Sequence, residues 1–140
     1  MKRTSLLDTG PLVAFLNRRD QYHAWAVERL SEIEPPLTTC EAVISEACFL
    51  LRPQRGGAEA VLDLVDRGLI VVSFDLQKEA APLKRLMARY AEVPMALADA
   101  CLVRLTELHS NAVLLTLDSD FRIYRRNRRS VIPTLMPEEL

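Results

Sequence analysis

Apolar runs of three to five residues alternate along this chain with longer stretches whose apolar positions recur at helical spacing. Thr4 to Leu7 is a short apolar run ended by Asp8-Thr9-Gly10-Pro11. That is the chemistry of a strand feeding a helix N-terminus, with Asp or Thr as cap and Pro in the first turn, and the helix is expected to reach about Asn17. His23 to Ile33 carries Trp25, Ala26, Leu30 and Ile33 at helical spacing, and Pro35-Pro36 ends it. A brief strand at Leu37 to Thr39 leads into a helix from about Glu41 to Leu51, closed by Arg52-Pro53. Ala58 to Arg67 reads as another helix, and Gly68 separates it from the β-branched strand Leu69-Ile70-Val71-Val72. Asp75 to Tyr90 is helical, with Pro82 expected to disturb it, and Pro94 precedes a helix from about Ala96 to His109. Ala112 to Thr116 is a strong strand, and Val131 to Leu135 a weaker last one despite Pro133.

Strands alternating with helices predict a parallel sheet covered on both faces, a doubly wound α/β domain. In such sheets ligands sit beyond the carboxyl ends of the strands, beside the point where strand order reverses. Asp8 and Asp118 each follow a strand, so they meet at the mouth of that crevice if the first and fourth strands are neighbours there. Glu46 and Asp99 lie on helices able to reach the same mouth.

These four acids interrupt stretches that otherwise read as apolar core: Leu6-Leu7-Asp8, Val43-Ile44-Ser45-Glu46-Ala47-Cys48-Phe49-Leu50-Leu51, Ala96-Leu97-Ala98-Asp99-Ala100-Cys101-Leu102-Val103 and Val113-Leu114-Leu115-Thr116-Leu117-Asp118. A carboxylate stripped of water needs a partner, and no Lys or Arg interrupts the same stretches. A bound cation that takes several oxygen ligands is the simplest common partner. Each acid also has a plainer reading. Asp8 caps the helix that it introduces, and Asp118-Ser119-Asp120 forms a turn. For Glu46 the plainer reading is the solvent face of an amphipathic helix, but Ala42, Val43, Phe49 and Leu50 at i−4, i−3, i+3 and i+4 direct it inward, and the same argument applies to Asp99 with Met95, Ala96, Leu102 and Val103.

The ordered set resembles the PIN-domain nucleases: Asp8-Thr9 after the first strand, Glu46 in a helix ending Phe49-Leu50-Leu51, Asp99-Ala100 opening a helix, and Thr116-Leu117-Asp118-Ser119-Asp120-Phe121 after a strand. It is most similar to the VapC-type toxins of bacterial toxin–antitoxin pairs, from Leu7 to about Pro133. The resemblance implies a PIN-like doubly wound three-layer α/β/α sandwich with a mostly parallel five-stranded sheet in the order 3-2-1-4-5. It implies that Asp8, Glu46, Asp99 and Asp118 are catalytic metal ligands, with Thr9 and Thr116 as supporting hydroxyls and Asp120 as an additional acid. RNA is then the expected substrate, cut by metal-activated water to leave a 5′-phosphate and a 3′-hydroxyl. Hard oxygen ligands without His or Cys suit Mg²⁺ or Mn²⁺ rather than Zn²⁺. A small VapB-like antitoxin and a second copy of the chain are the implied partners. A non-toxin PIN nuclease in RNA processing and a catalytically silent PIN protein that binds metal or RNA are the alternatives.

At 140 residues the whole chain, 1–140, is expected to be a single domain. No leader peptide and no apolar run of membrane-spanning length is visible, so a cytoplasmic protein is expected. The formal net charge of −1 argues against a nucleic-acid binder, but five of the 18 basic residues fall at Arg122, Arg125, Arg126, Arg128 and Arg129. That run, with Tyr124 for stacking, is a possible RNA contact or a solvated surface. Cys40, Cys48 and Cys101 lack the spacing of a zinc knuckle, and His23 and His109, at helix ends, are not expected to be catalytic. A haloacid-dehalogenase-type phosphatase needs a second Asp where this chain has Gly10, and a receiver domain needs a phosphoacceptor Asp and a Lys that the third and fifth strands do not supply.

Overall fold

The computed structural model describes residues 3–140, so the first two positions of the expected domain lie outside the described residues. In chain order the elements are β1 (Thr4–Leu7), α1 (Thr9–Leu16), α2 (His23–Glu32), β2 (Leu37–Thr39), α3 (Glu41–Leu50), α4 (Gly57–Asp66), β3 (Ile70–Val72), α5 (Leu76–Arg89), α6 (Leu97–Leu108) and β4 (Ala112–Leu115). A 3₁₀ turn at Ser119–Arg122, a hairpin of β5 (Arg125–Arg126) and β6 (Ser130–Val131), and β7 (Thr134–Leu135) follow. Among the described residues no helix is long and apolar enough to cross a membrane.

The sheet order is β3-β2-β1-β4-β7, and every pairing within it is parallel. Leu6 and Leu7 of β1 and Leu114 and Leu115 of β4 are buried, the near-continuous apolar pattern that a strand covered on both faces requires. In register, Leu6 lies beside Leu114 and Leu7 beside Leu115. The chain winds from β1 outward through β2 to β3, then crosses back to place β4 on the other side of β1. Right-handed crossovers therefore put the helices before β3 on one face and those after it on the other. The contacts agree: α1 packs against α2, α3 and α4, while α5 packs against α6. α3 and α6 also meet. The thiol of Cys101, in the second turn of α6, interacts with that of Cys40, which precedes α3, so the starts of these two helices are tied together.

Two local expectations change. The last strand was expected to run from Val131 to Leu135, but only Thr134–Leu135 joins the sheet, because Ser130–Val131 pairs instead with β5. Pro133 has no N–H to donate, and its carbonyl accepts from Leu114 N at 2.9 Å, so the chain switches sheets at this residue. Pro82 does not disturb α5, which runs unbroken through it. The carbonyl that loses its helical donor is that of Lys78, an exposed residue on the solvent side of the helix, so the loss is not a buried one.

α3 turns into α4 through a corner closed by Gly57, where a Cβ would lie 2.2 Å from the Leu51 carbonyl oxygen. Leu51 is fully buried, so its backbone has no room to withdraw. Gly57→Ala is expected to destabilise the protein by about 2 kcal/mol or more in urea unfolding. A loss below about 0.5 kcal/mol, the scale of ordinary surface changes, would show that the corner yields freely.

Candidate functional site

The reversal between β1 and β4 brings the carboxyl ends of the two central strands side by side, with Asp8 following one and Thr116 to Asp118 the other. Asp8 N continues the pairing by donating to Leu115 O at 3.0 Å. The Asp8 carboxylate is held at both oxygens: Oδ1 accepts from Thr9 N at 2.7 Å and Oδ2 from the Thr116 hydroxyl at 2.6 Å. Thr116 Oγ1 in turn accepts from Asp118 N at 3.0 Å, and Asp118 Oδ1 from Asp120 N at 2.9 Å. A single line of hydrogen bonds thus fixes Asp8 against the loop that carries Asp118. Gly10 lets α1 lie close to that loop, since a Cβ there would sit 3.1 Å from Leu117 Cβ. On the other flank, Thr39 at the end of β2 donates to Leu7 O at 2.6 Å.

Asp99, in the first turn of α6, accepts from Ala96 N at 3.1 Å, so its carboxylate folds back over the helix start. The Tyr124 hydroxyl approaches the same oxygen at 3.5 Å, a long contact. Tyr124 is fully buried and meets Phe121 and Tyr90 edge-on at 5.2 and 5.1 Å. Its ring is therefore closed to stacking on a base, contrary to the role suggested by its place in the Arg-rich run.

Asp8, Thr9, Glu46, Asp99 and Asp118 line one open pocket of about 380 Å³. Asp120 stands outside that lining but within electrostatic reach of Asp99. The premise that all four acids are core residues holds for Asp8 alone, which is 7% exposed. Asp99 and Asp118 are half-buried and Glu46 is exposed. The apolar neighbours of Glu46 misled because Phe49 and Leu50 are themselves 59% and 49% exposed, so that stripe of α3 faces the pocket mouth rather than the core. The plainer readings of Asp8 and Asp118 are also true, since both cap the elements that follow them. Capping fixes these carboxylates without removing them from the pocket. By contrast, a more enclosed cavity of about 140 Å³ under α1 and α2 is lined by Leu7, Leu12, Phe15 and other apolar side chains and carries no titratable group.

The acids feel one another. Burial pushes the Asp8 carboxyl up from 3.8 to about 6, offset by the Thr116 and Thr9 hydrogen bonds and reinforced by the charges of Asp99 and Asp118. Burial also raises Asp99, against the pull of Ala96 N–H, with Asp118, Glu46 and Asp120 adding repulsion. The Tyr124 phenol is pushed up by burial and then by Asp99, Asp120 and Asp118. Among the described residues, no three His, Cys, Asp or Glu side chains are drawn together tightly enough to hold one ion directly. The donors nonetheless fit a hydrated divalent cation, which keeps several waters and binds through one or two carboxylates. All are hard oxygens, and the buried Thr9 hydroxyl beside Asp8 has no protein partner.

Thr39 and Tyr124 were not anticipated as supports of the site. The first could have been found as a lone hydroxyl at the end of a predicted strand, whereas nothing local marked the second. Of the Arg-rich run, Arg125 and Arg126 spend their guanidiniums on main-chain carbonyls: Arg125 on those of Arg122, Ile123 and Tyr124, and Arg126 on those of Thr106 and Ser110 at the end of α6. Arg122, Arg128 and Arg129 are exposed.

The PIN domain family matches residues 5–127 of this chain. Among solved structures, the chain is similar to Mycobacterium tuberculosis VapC20, a sarcin-ricin loop cleaving toxin, at 22% identity and a TM-score of 0.75, covering 93% of this chain and 100% of that one. It is also similar to VapBC2 from Rickettsia felis, solved bound to a DNA fragment from their promoter, at 14% identity and a TM-score of 0.65, covering 96% of this chain and 99% of that one. At these identities the likeness is one of fold. No curated protein matches the sequence.

Two outcomes are expected. Because the folded Asp8 holds its proton to about 6, this group binds more protons in the fold than in the unfolded chain between pH 4 and 6, and its contribution to stability falls as pH rises through that window. In chelator, wild type is expected to lose about 3 kcal/mol across it relative to Asp8→Asn, in parallel urea titrations. Identical pH profiles for the two proteins would remove the conflict at Asp8. Arg126→Ala is expected to lower stability by about 1–3 kcal/mol, through the carbonyls that it leaves unpaired at the end of α6.

Proposed function

The chain belongs to the PIN domain family, and from that premise we propose that it is an Mg²⁺- or Mn²⁺-dependent endoribonuclease acting as the toxin of a type II toxin–antitoxin pair. The observation that carries this reading is the convergence of Asp8, Glu46, Asp99 and Asp118 on one open pocket where strand order reverses. The likeness to a sarcin-ricin loop cleaving toxin supports RNA as the substrate class.

Hydrolysis of a phosphodiester gathers negative charge on its non-bridging oxygens, and a pocket of bare carboxylates would repel both substrate and transition state. A divalent ion bound there supplies the opposing charge and lowers the pKa of the attacking water. The chain itself contributes positioned donors. Asp8 is the most rigid, gripped by Thr9 N–H and the Thr116 hydroxyl. Asp99 is pinned by Ala96 N–H and Asp118 by Asp120 N–H, so each presents its remaining lone pairs in a fixed direction. Glu46, on the solvent side, is suited to contact through water. Such preorganisation is what lets a site stabilise developing charge without reorganising as the reaction proceeds.

The same acids suit an antitoxin that reaches an Arg into the pocket, since bidentate guanidinium–carboxylate pairing competes with the metal. Beside them a groove of about 790 Å³, lined in part by Ala42, Val72, Phe74, Leu76 and Leu97, offers apolar surface to such a partner. The likeness to VapBC2 supports a partner of this kind. We extend the proposal to a homodimer working in the cytoplasm, where its RNA is found.

Purified protein incubated with cellular RNA is expected to yield discrete products with Mg²⁺ or Mn²⁺ and none in chelator. Asp99→Asn is expected to cut the rate by at least about 100-fold while the circular dichroism spectrum and melting temperature stay near those of wild type. Undiminished cleavage by that variant would overturn the assignment.

A further inference from the structure

A second charged feature lies away from the acidic pocket, where the far half of α6, the outer face of α5 and the β5–β6 turn come together. Arg85, Arg89, Arg104, Glu107, Asn127 and Arg128 line a pocket there of about 240 Å³. The Arg-rich run does not form it, since Arg128 alone of that run contributes. Arg104 is committed: its Nε donates to Glu79 at 2.6 Å and its Nη1 to Glu107 at 3.1 Å. Glu107 also accepts from Asn127 N at 2.7 Å, so both nearby carboxylates are already spent. Arg85, Arg89 and Arg128 are exposed, and among the described residues their guanidiniums make no ion pair or hydrogen bond.

Three unpaired guanidiniums facing one pocket repel one another, and an anion relieves that repulsion. The turn is built to keep them together. Asn127 and Arg128 adopt φ of 50° and 71°, a left-handed conformation that non-glycine residues seldom take, and the bond from Asn127 N to Glu107 pins the turn to α6. Arg85 and Arg89 are one helical turn apart and so share a face of α5. The pocket and the acids share α6 and the interior packed against it. Tyr90, next to Arg89, packs on Tyr124, whose hydroxyl reaches toward Asp99. Along α6, Glu107 lies eight residues from Asp99, about 12 Å of helix rise.

We propose that Arg85, Arg89 and Arg128 form an RNA phosphate anchor that holds the strand a few nucleotides from the bond cut at the acidic pocket. This rests on the ribonuclease reading above and adds where the substrate is gripped. Planar guanidiniums pair bidentately with phosphate oxygens, and each phosphate neutralised makes binding more salt-sensitive. An acidic protein segment is the rival occupant. RNA is favoured because the pocket stands at the far end of α6 from Asp99, about 12 Å of helix rise away, a span that a few nucleotides cover.

The test is fluorescence anisotropy with labelled RNA in chelator, where no cleavage occurs, across a range of salt. The triple variant Arg85→Ala/Arg89→Ala/Arg128→Ala is compared with wild type and with a control, Arg18→Ala/Arg19→Ala/Arg55→Ala. The anchor variant is expected to bind at least about tenfold more weakly, with the log–log salt slope reduced by about 2, while the control tracks wild type. Unchanged RNA affinity in the anchor variant, with wild type still cleaving RNA when Mg²⁺ is added, overturns the anchor and leaves the ribonuclease intact. Loss of binding to a polyglutamate peptide but not to RNA overturns it in favour of a protein-docking site. Failure of wild type either to bind or to cleave RNA overturns both readings.

Discussion

The parallel pairing of β1 with β4 joins strands whose ends are 108 residues apart, and the bond from Thr116 to Asp8 seals it at the carboxyl edge. Every functional feature is placed relative to that edge. Strand order reverses there, and the crevice beside the reversal is where the end of β1, α3, α6 and the loop after β4 bring their acids. Thr116 has a double duty: it accepts from the Asp118 main chain and donates to Asp8, so the geometry of one acid sets that of another.

The acidic pocket is an electrostatic conflict that the fold maintains at its own expense. Burial and like charge both oppose ionisation of Asp8, and the two hydrogen bonds to it only partly compensate. Proteins tolerate such arrangements where the charge is used. At the other end of α6 stands the opposite case, guanidiniums gathered without carboxylates to match. A divalent cation held at the first site and a polyanion gripped at the second would satisfy both, and a formal net charge of −1 for the whole chain conceals this polarity.

Helix and strand positions were readable because each rests on local rules: apolar periodicity, an Asp cap before a Pro in the first turn, Pro and Gly at boundaries. The exceptions share a cause. Whether Val131 to Leu135 formed one strand or two depended on which neighbour offered a donor to each residue, and Pro133 decided it only once β4 and β5 were both present. Glu46 was judged inward from its apolar neighbours, but a stripe of Leu and Phe marks core only if something covers it. Arg125 and Arg126 looked like free cations, and the carbonyls that hold them come partly from Thr106 in α6 and Ser110 two residues beyond it, distant in sequence.

Taken alone, the chain determined the order of its elements, the parallel α/β class, and which acids stood at strand ends or helix starts, since these follow from side-chain chemistry within a few residues. The ordered set of those acids carried the resemblance to the PIN family, which the match over residues 5–127 shows. Only the tertiary structure decided how deeply each carboxylate is buried, which arginines are spent on main-chain carbonyls, and that Arg128 faces Arg85 and Arg89 across the gap between a turn and a helix. Burial and charge pairing are properties of neighbours in space, and no local pattern records which surfaces the fold will press together.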